Sequence, residues 1–200
     1  FDLELLEAMP DQAQDLQKRF GIEHFIKGLQ PGLALKRETI FSPTCTICGL
    51  TSGYQGEGPK TVLPAEARAK VDFRLVPDQE PEEVLDQLRQ HLDSNGFSDI
   101  ELVVLGSEPP GRTDPANPFI QMVAEAAEPV YGQTQLIQPL SGGSGPIHPF
   151  IEYLHLPVAT AGISHSGSRV HAPDENIIID ELVRGIKHTA RIMGIFGASE

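Results

Sequence analysis

Seven histidines occur in the chain, and five of them (His148, His155, His165, His171 and His188) lie between positions 148 and 188. Neutral imidazole is the commonest side-chain ligand for a metal ion, and His148, His165 and His171 fall in or beside loops. His171 stands out. In Val170-His171-Ala172-Pro173-Asp174-Glu175-Asn176 it closes a stretch rich in Ser, Gly and His, Pro173 stiffens the backbone beyond it, and Glu175 is placed to orient an imidazole from behind. Two readings stay open for it, a metal ligand or an ordinary polar loop histidine. The run Ser141-Gly142-Gly143-Ser144-Gly145-Pro146 offers different chemistry. A nucleophile elbow needs Gly where Pro146 stands, and a phosphate loop needs a Lys after its glycines. What remains is either a cradle of backbone N–H groups and the Ser144 hydroxyl for a carboxylate or oxyanion, or a plain turn. Arg74 and Thr61 draw no notice by themselves. Cys45 and Cys48 form a C-x-x-C with no second pair to complete a zinc site. Strand alternation puts them on opposite faces, so they read as two small apolar strand residues.

These residues need elements to hold them. Residues 3–20 read as helical, broken at Met9-Pro10 and stopped by Gly21, and residues 33–50 read as extended with a break at Ser42-Pro43. From Ala67 to Val76 apolar residues alternate with Arg68, Lys70, Asp72 and Arg74, the pattern of a half-buried strand. Leu85, Leu88 and Leu92 repeat at helical spacing before Gly96, and 100–105 reads as another strand. The Pro- and Gly-rich stretch 106–118 is the best boundary. Pro118 then opens a helix with Phe119, Val123, Ala126 and Val130 on one face. Residues 135–140 read as extended, 147–154 as a short helix and 157–161 as a buried strand. Asp180 is expected to cap a last helix, whose core face is Ile179, Val183, Ile186, Ala190 and Met193.

The chain has 200 residues, 40% of them hydrophobic, and a formal net charge of −13. That length makes one large domain or two small ones. The acidity argues against nucleic acid, which needs a clustered basic face, and against anionic membranes. No apolar run is long enough to span a bilayer. Two cysteines and no signal peptide suit a reducing cytoplasm. The chain begins at Phe1 without an initiator Met, which raises the expectation of a longer protein.

Three segments gain meaning together. Lys60-Thr61-Val62-Leu63-Pro64-Ala65-Glu66-Ala67 with Asp72-Phe73-Arg74-Leu75-Val76-Pro77 resembles the lid, or dimerisation, domain of the co-catalytic zinc metallopeptidases. That family includes carnosine dipeptidases, acetylornithine deacetylases and desuccinylases, and the dipeptidase branch matches best. The 141–146 run resembles the family's carboxyl-binding loop, and 170–176 resembles its C-terminal ligand motif H-x-P-N-E, with Asp174 where the family has Asn.

The resemblance implies an α/β fold. Residues 1–109 would form a ferredoxin-like α+β lid, with two helices on an antiparallel sheet, and residues 110–200 the C-terminal half of a three-layer α/β/α catalytic domain. It implies hydrolysis of an amide bond in dipeptides or small peptides by the full-length parent, through two Zn2+ (or Mn2+) ions that polarise the carbonyl and supply hydroxide. His171 would hold one metal. Arg74, Gly143 and Ser144 would hold the substrate's carboxylate, and Thr61 would contact substrate. A homodimer through the lid is implied as well. The family's H-x-D motif, bridging Asp, Glu pair and oxyanion His have no counterpart here, since His91-Leu92-Asp93 falls within the lid helix. No catalytic residue is therefore assigned in this chain. It reads as a C-terminal portion, inactive alone, with a metal site absent or incomplete. The alternatives are a non-catalytic homodimerisation module and a protein that binds peptide or amino-acid carboxylates.

Overall fold

The computed structural model describes residues 2–198. It is an α+β chain whose elements run α1 (Asp2–Ala8), α2 (Ala13–Phe20), a short 3-10 turn (Ile26–Gly28), α3 (Leu33–Phe41), β1 (Thr44–Ser52), β2 (Ala67–Arg74), α4 (Pro81–Ser94), α5 (Pro118–Tyr131), α6 (His148–Glu152) and α7 (Ile179–Gly197). Two compact units form. The first comprises the residues up to Lys36, Gly111–Ser141 and those from Ile147 onward; the second comprises Arg37–Pro110 and Gly142–Pro146.

In the first unit, α1 and α2 are separate helices on either side of the Pro10 break, and α2 stops at Gly21 in the left-handed conformation (φ 63°). Lys36 satisfies carbonyls left free at the end of α1, donating from Nζ to Leu6 O (3.1 Å) and to Met9 O. Leu6, Ala13 and Leu35 are buried. Helix α5 opens on Asn117, whose side chain accepts from the Phe119 N–H (2.9 Å), with Pro118 in the first turn. It packs on α7 through Val123, Ala126 and Ala127, with Phe119 edge-on to Phe196 at 6.2 Å.

The side of α7 that is covered is not the expected one. His188 is buried, and Glu181, Gly185, Ile192 and Ile195 are partly covered, whereas Ile179, Val183, Ile186 and Met193 are exposed. The reason is polar. His188 Nε2 hydrogen-bonds the Val123 carbonyl (2.8 Å), and Arg191 Nε donates to the Ala126 carbonyl (3.1 Å). Helix α7 begins at Ile179, so Asp180 lies in its first turn rather than capping it.

Segments 135–140 and 157–161, expected as strands, have no ladder partner among the described residues. Side chains hold them instead: Arg112 Nε donates to Pro139 O (3.0 Å), and the Val158 N–H donates to Thr113 Oγ1 (2.8 Å). Arg112 also pairs with Asp2 at 2.5 Å.

In the second unit, β1 and β2 form an antiparallel pair from Thr44 opposite Arg74 to Ser52 opposite Ala67. The alternation expected for β2 is present, but the burial is not. Only Asp72 and Phe73 of that strand are partly covered, and Ile47 and Leu50 of β1 are 68% and 76% exposed. Helix α4 ends as its sequence predicts. The Phe97 N–H bonds Leu92 O (2.9 Å) and the Gly96 N–H bonds Asp93 O (3.1 Å), the paired closure that a C′ glycine permits. Arg89 then fixes the exit by donating to Phe97 O and Ile100 O. Residues 100–105 pair with no strand among the described residues, and Val103, Val104 and Leu105 are exposed. Residues 33–41, expected as extended, are helical. Leu, Ala, Lys, Arg and Glu are strong helix formers, and the helix yields at Ser42-Pro43 because a residue before proline disfavours the helical region. No helix among the described residues is long and apolar enough to cross a membrane.

Candidate functional site

The second unit brings Arg74 and Ser144 together although 70 positions separate them. Arg74 Nη1 donates to Ser144 Oγ. Arg74 Nε donates to Asp72 Oδ2 at 2.7 Å, an ion pair between residues two apart on the same face of β2. Both side chains are about half exposed, so this pair adds little stability. Its effect is directional. Nε is held by Asp72 and Nη1 donates to the hydroxyl, and a guanidinium fixed at these two atoms still carries N–H groups on Nη1 and Nη2 that can give two parallel bonds to a carboxylate. Gly143 lies in the same 142–146 segment. Thr61 lies in the same unit, exposed and outside regular structure.

His171 belongs to the first unit, in a loop that is strongly self-bonded. Arg169, His171 and Asp174 all take left-handed backbone angles (φ 53°, 61° and 61°), each costing on the order of 1 kcal/mol for a residue with a Cβ. Hydrogen bonds offset this, each contributing about 0.5–1.5 kcal/mol. Ser168 is the fulcrum, with only 1% of its surface exposed. Its hydroxyl accepts from the His165 N–H (2.9 Å), its own N–H bonds His165 O (3.0 Å), and its carbonyl accepts from the Asn176 N–H (3.0 Å). Asp174, where the resembled motif has Asn, accepts from Arg169 Nη1 at 3.1 Å, so the change of residue is matched by a cation five positions back. Glu175, expected to orient the His171 ring, makes no hydrogen bond or ion pair among the described residues. Asn176 does the local bonding instead. The His171 side chain is exposed.

No three His, Cys, Asp or Glu side chains among the described residues converge on a point that could hold a metal ion. A protein site needs about three such donors, so His171 is one candidate ligand and not a site. The thiols of Cys45 and Cys48 are free and exposed. The ladder skips Cys48 as the extra residue of a bulge between Ile47 and Gly49. Simple alternation therefore does not relate the two cysteines as the sequence suggested.

Sequence reasoning assigned no role to Asp72, Ser168 or Asn176, and took His165 only as one of the loop histidines that could bind a metal. The Asp-x-Arg spacing was a readable signal, because two-residue spacing on a strand shares a face. The other three carried no signal for the contacts they make, since those contacts are bonds within an irregular loop.

Residues 3–99 match the peptidase dimerisation domain family. Over 98% of its length the chain is 24% identical to the Cys-Gly metallodipeptidase of Saccharomyces cerevisiae, covering 44% of that protein. The M20 family metallo-carboxypeptidase of Sulfolobus solfataricus superposes with a TM-score of 0.84 at 33% identity, over 96% of this chain and 44% of that one. The chain is related to the M20 metallopeptidases. Human carnosine dipeptidase 1 shares the fold at a TM-score of 0.74 and 20% identity, with 95% of this chain and 41% of that one covered. The chain thus spans less than half the length of these M20 relatives.

Proposed function

We propose that this chain serves a metal-dependent peptidase that hydrolyses the amide bond of dipeptides or short peptides. The observation that carries the reading is the Arg74–Ser144 contact. It joins two separate segments into a group able to take a carboxylate, which is the part of a short peptide that a dipeptidase or carboxypeptidase must recognise. In this reading Arg74, Ser144 and Gly143 hold the terminal carboxylate, Thr61 contacts the peptide, and His171 supplies one ligand to a zinc or manganese ion. The remaining ligands, the general base and the oxyanion donor come from outside these 200 residues. In this reading residues 1–109 contribute a lid that pairs with a second copy and residues 110–200 part of the catalytic domain, although the described residues up to Lys36 group with α5 and α7. The match of residues 3–99 to a dimerisation domain supports the pairing, and the reading places the protein in the cytoplasm.

The test is dipeptide hydrolysis by the intact protein. His171→Ala and a chelator should each abolish it, and full activity in both cases overturns the reading. Arg74→Lys should raise KM about tenfold for peptides with a free C-terminal carboxylate, because a point charge replaces a two-pronged donor. It should leave KM for amidated peptides unchanged.

A second reading is favoured by one observation, the lack of converging ligands among the described residues. Taken alone, the chain suits a dimerising module that binds peptide carboxylates. Carboxylate binding that persists in chelator, with no hydrolysis by the intact protein, would select it.

A further inference from the structure

The loop that carries His171 is closed by a second histidine. Gly167 donates its backbone N–H to His165 Nδ1 at 3.0 Å. A backbone N–H can only donate, so Nδ1 carries no proton. The ring proton of the neutral imidazole then sits on Nε2, which faces Asn176 Oδ1 at 3.2 Å. The orientation of the Asn176 amide is fixed independently, because its Nδ2 faces two carbonyls, Gly167 O (3.2 Å) and Asp174 O (3.0 Å). Donors and acceptors therefore close in one sense only. The packing agrees: a Cβ at Gly167 would stand 2.9 Å from His165 Cε1, so the absence of a side chain there lets the ring lie over the backbone.

We propose that His165, held as its Nε2–H tautomer between Gly167 and Asn176, is a positioning residue that clasps the two ends of the loop and so fixes the strained backbone presenting His171. The clasp itself rests only on these contacts. Its weight for activity rests on the reading of His171 as a ligand.

The consequence for the loop is measurable without any reaction. The Arg169–Val170 bond lies inside the clasped segment, at an arginine whose side chain is 59% exposed. Cleavage there requires the loop to open, and its rate follows the open fraction. With the intact protein, nitrogen NMR of the histidine rings should show His165 as a single neutral tautomer protonated on Nε2. Tryptic cleavage after Arg169 should quicken about tenfold in His165→Ala, equivalent to about 1.4 kcal/mol of lost closure. Gly167→Ala, which leaves both partners in place but displaces the ring, should act alike. His165→Gln keeps a donor that reaches Asn176 and should restore most of the protection. In both opening variants the His171 ring signal should broaden or split.

A His165 ring protonated on Nδ1, or cleavage rates unchanged in both opening variants, would overturn the clasp. Failure of the peptidase reading looks different: the tautomer and the protection stand, and the wild-type protein hydrolyses no peptide. If the wild type does hydrolyse peptides, His165→Ala should lower kcat with KM little changed, and His165→Gln should recover it.

Discussion

The α5–α7 pair and the β1–β2 pair each join two elements across intervening chain, yet they are held by different forces. The helix pair has an interior: Val123, Ala126 and Ala127 are buried against α7, and His188 and Arg191 bond to α5 carbonyls. The strand pair has a ladder interrupted only by the Cys48 bulge and little interior, with Ile47 and Leu50 open to solvent. Backbone bonds fix register and direction, but each adds only about 1 kcal/mol net because water competes for the same groups. Removal of apolar surface from water contributes more, at roughly 25 cal/mol per Å². The helix pair is therefore stabilised by its own apolar and polar contacts, and the sheet mainly by its backbone bonds.

Substitutions can break or sharpen this contrast. The largest effect is expected at Ala126, which has no exposed surface. Ala126→Leu should destabilise by about 1–3 kcal/mol through overpacking, seen as a lower urea midpoint at constant slope. A neutral result would show the helices to be loosely packed. Next comes His188→Leu, which keeps bulk and removes the bond to the Val123 carbonyl. It should cost about 1 kcal/mol, and an unchanged midpoint would show that this bond does not link the helices. The smallest effect belongs to the sheet. Leu50→Ala should cost under about 0.5 kcal/mol, as surface changes do. A loss above about 1 kcal/mol would mean that the sheet face is covered in solution, by a second copy or by further chain, and the contrast would vanish.

The same contrast explains what could be read from the sequence. Helix α4 was legible down to its Gly96 closure, and the opening of α5 at Pro118 likewise, because these signals are local chemistry, whereas the Asn117 cap was not read. The alternation of β2 was legible too. The burial of β2 and the pairing of 100–105 and 157–161 were not, since alternation states which residues share a face and says nothing of what covers it. Helix α7 misled because it is apolar on two sides, and a histidine with a carbonyl partner marked the covered one. At the candidate site, Arg74, Ser144 and His171 were singled out as candidates through motif order. The Asp72 brace and the His165 clasp depend on bond directions that composition and spacing do not encode.

The segment Gly142–Pro146 groups with the second unit while the residues on both sides of it group with the first. The chain therefore crosses between units four times, and the second unit is no contiguous cassette. Residues 37–110 moved as a block into a related peptidase would carry Arg74 and Asp72 but leave Ser144 behind. The recipient's own loop would have to provide the hydroxyl that faces the guanidinium. A swap of residues 37–110 therefore keeps the contact that Arg74 makes with Ser144 only where the recipient's own five-residue loop presents a hydroxyl to the incoming arginine.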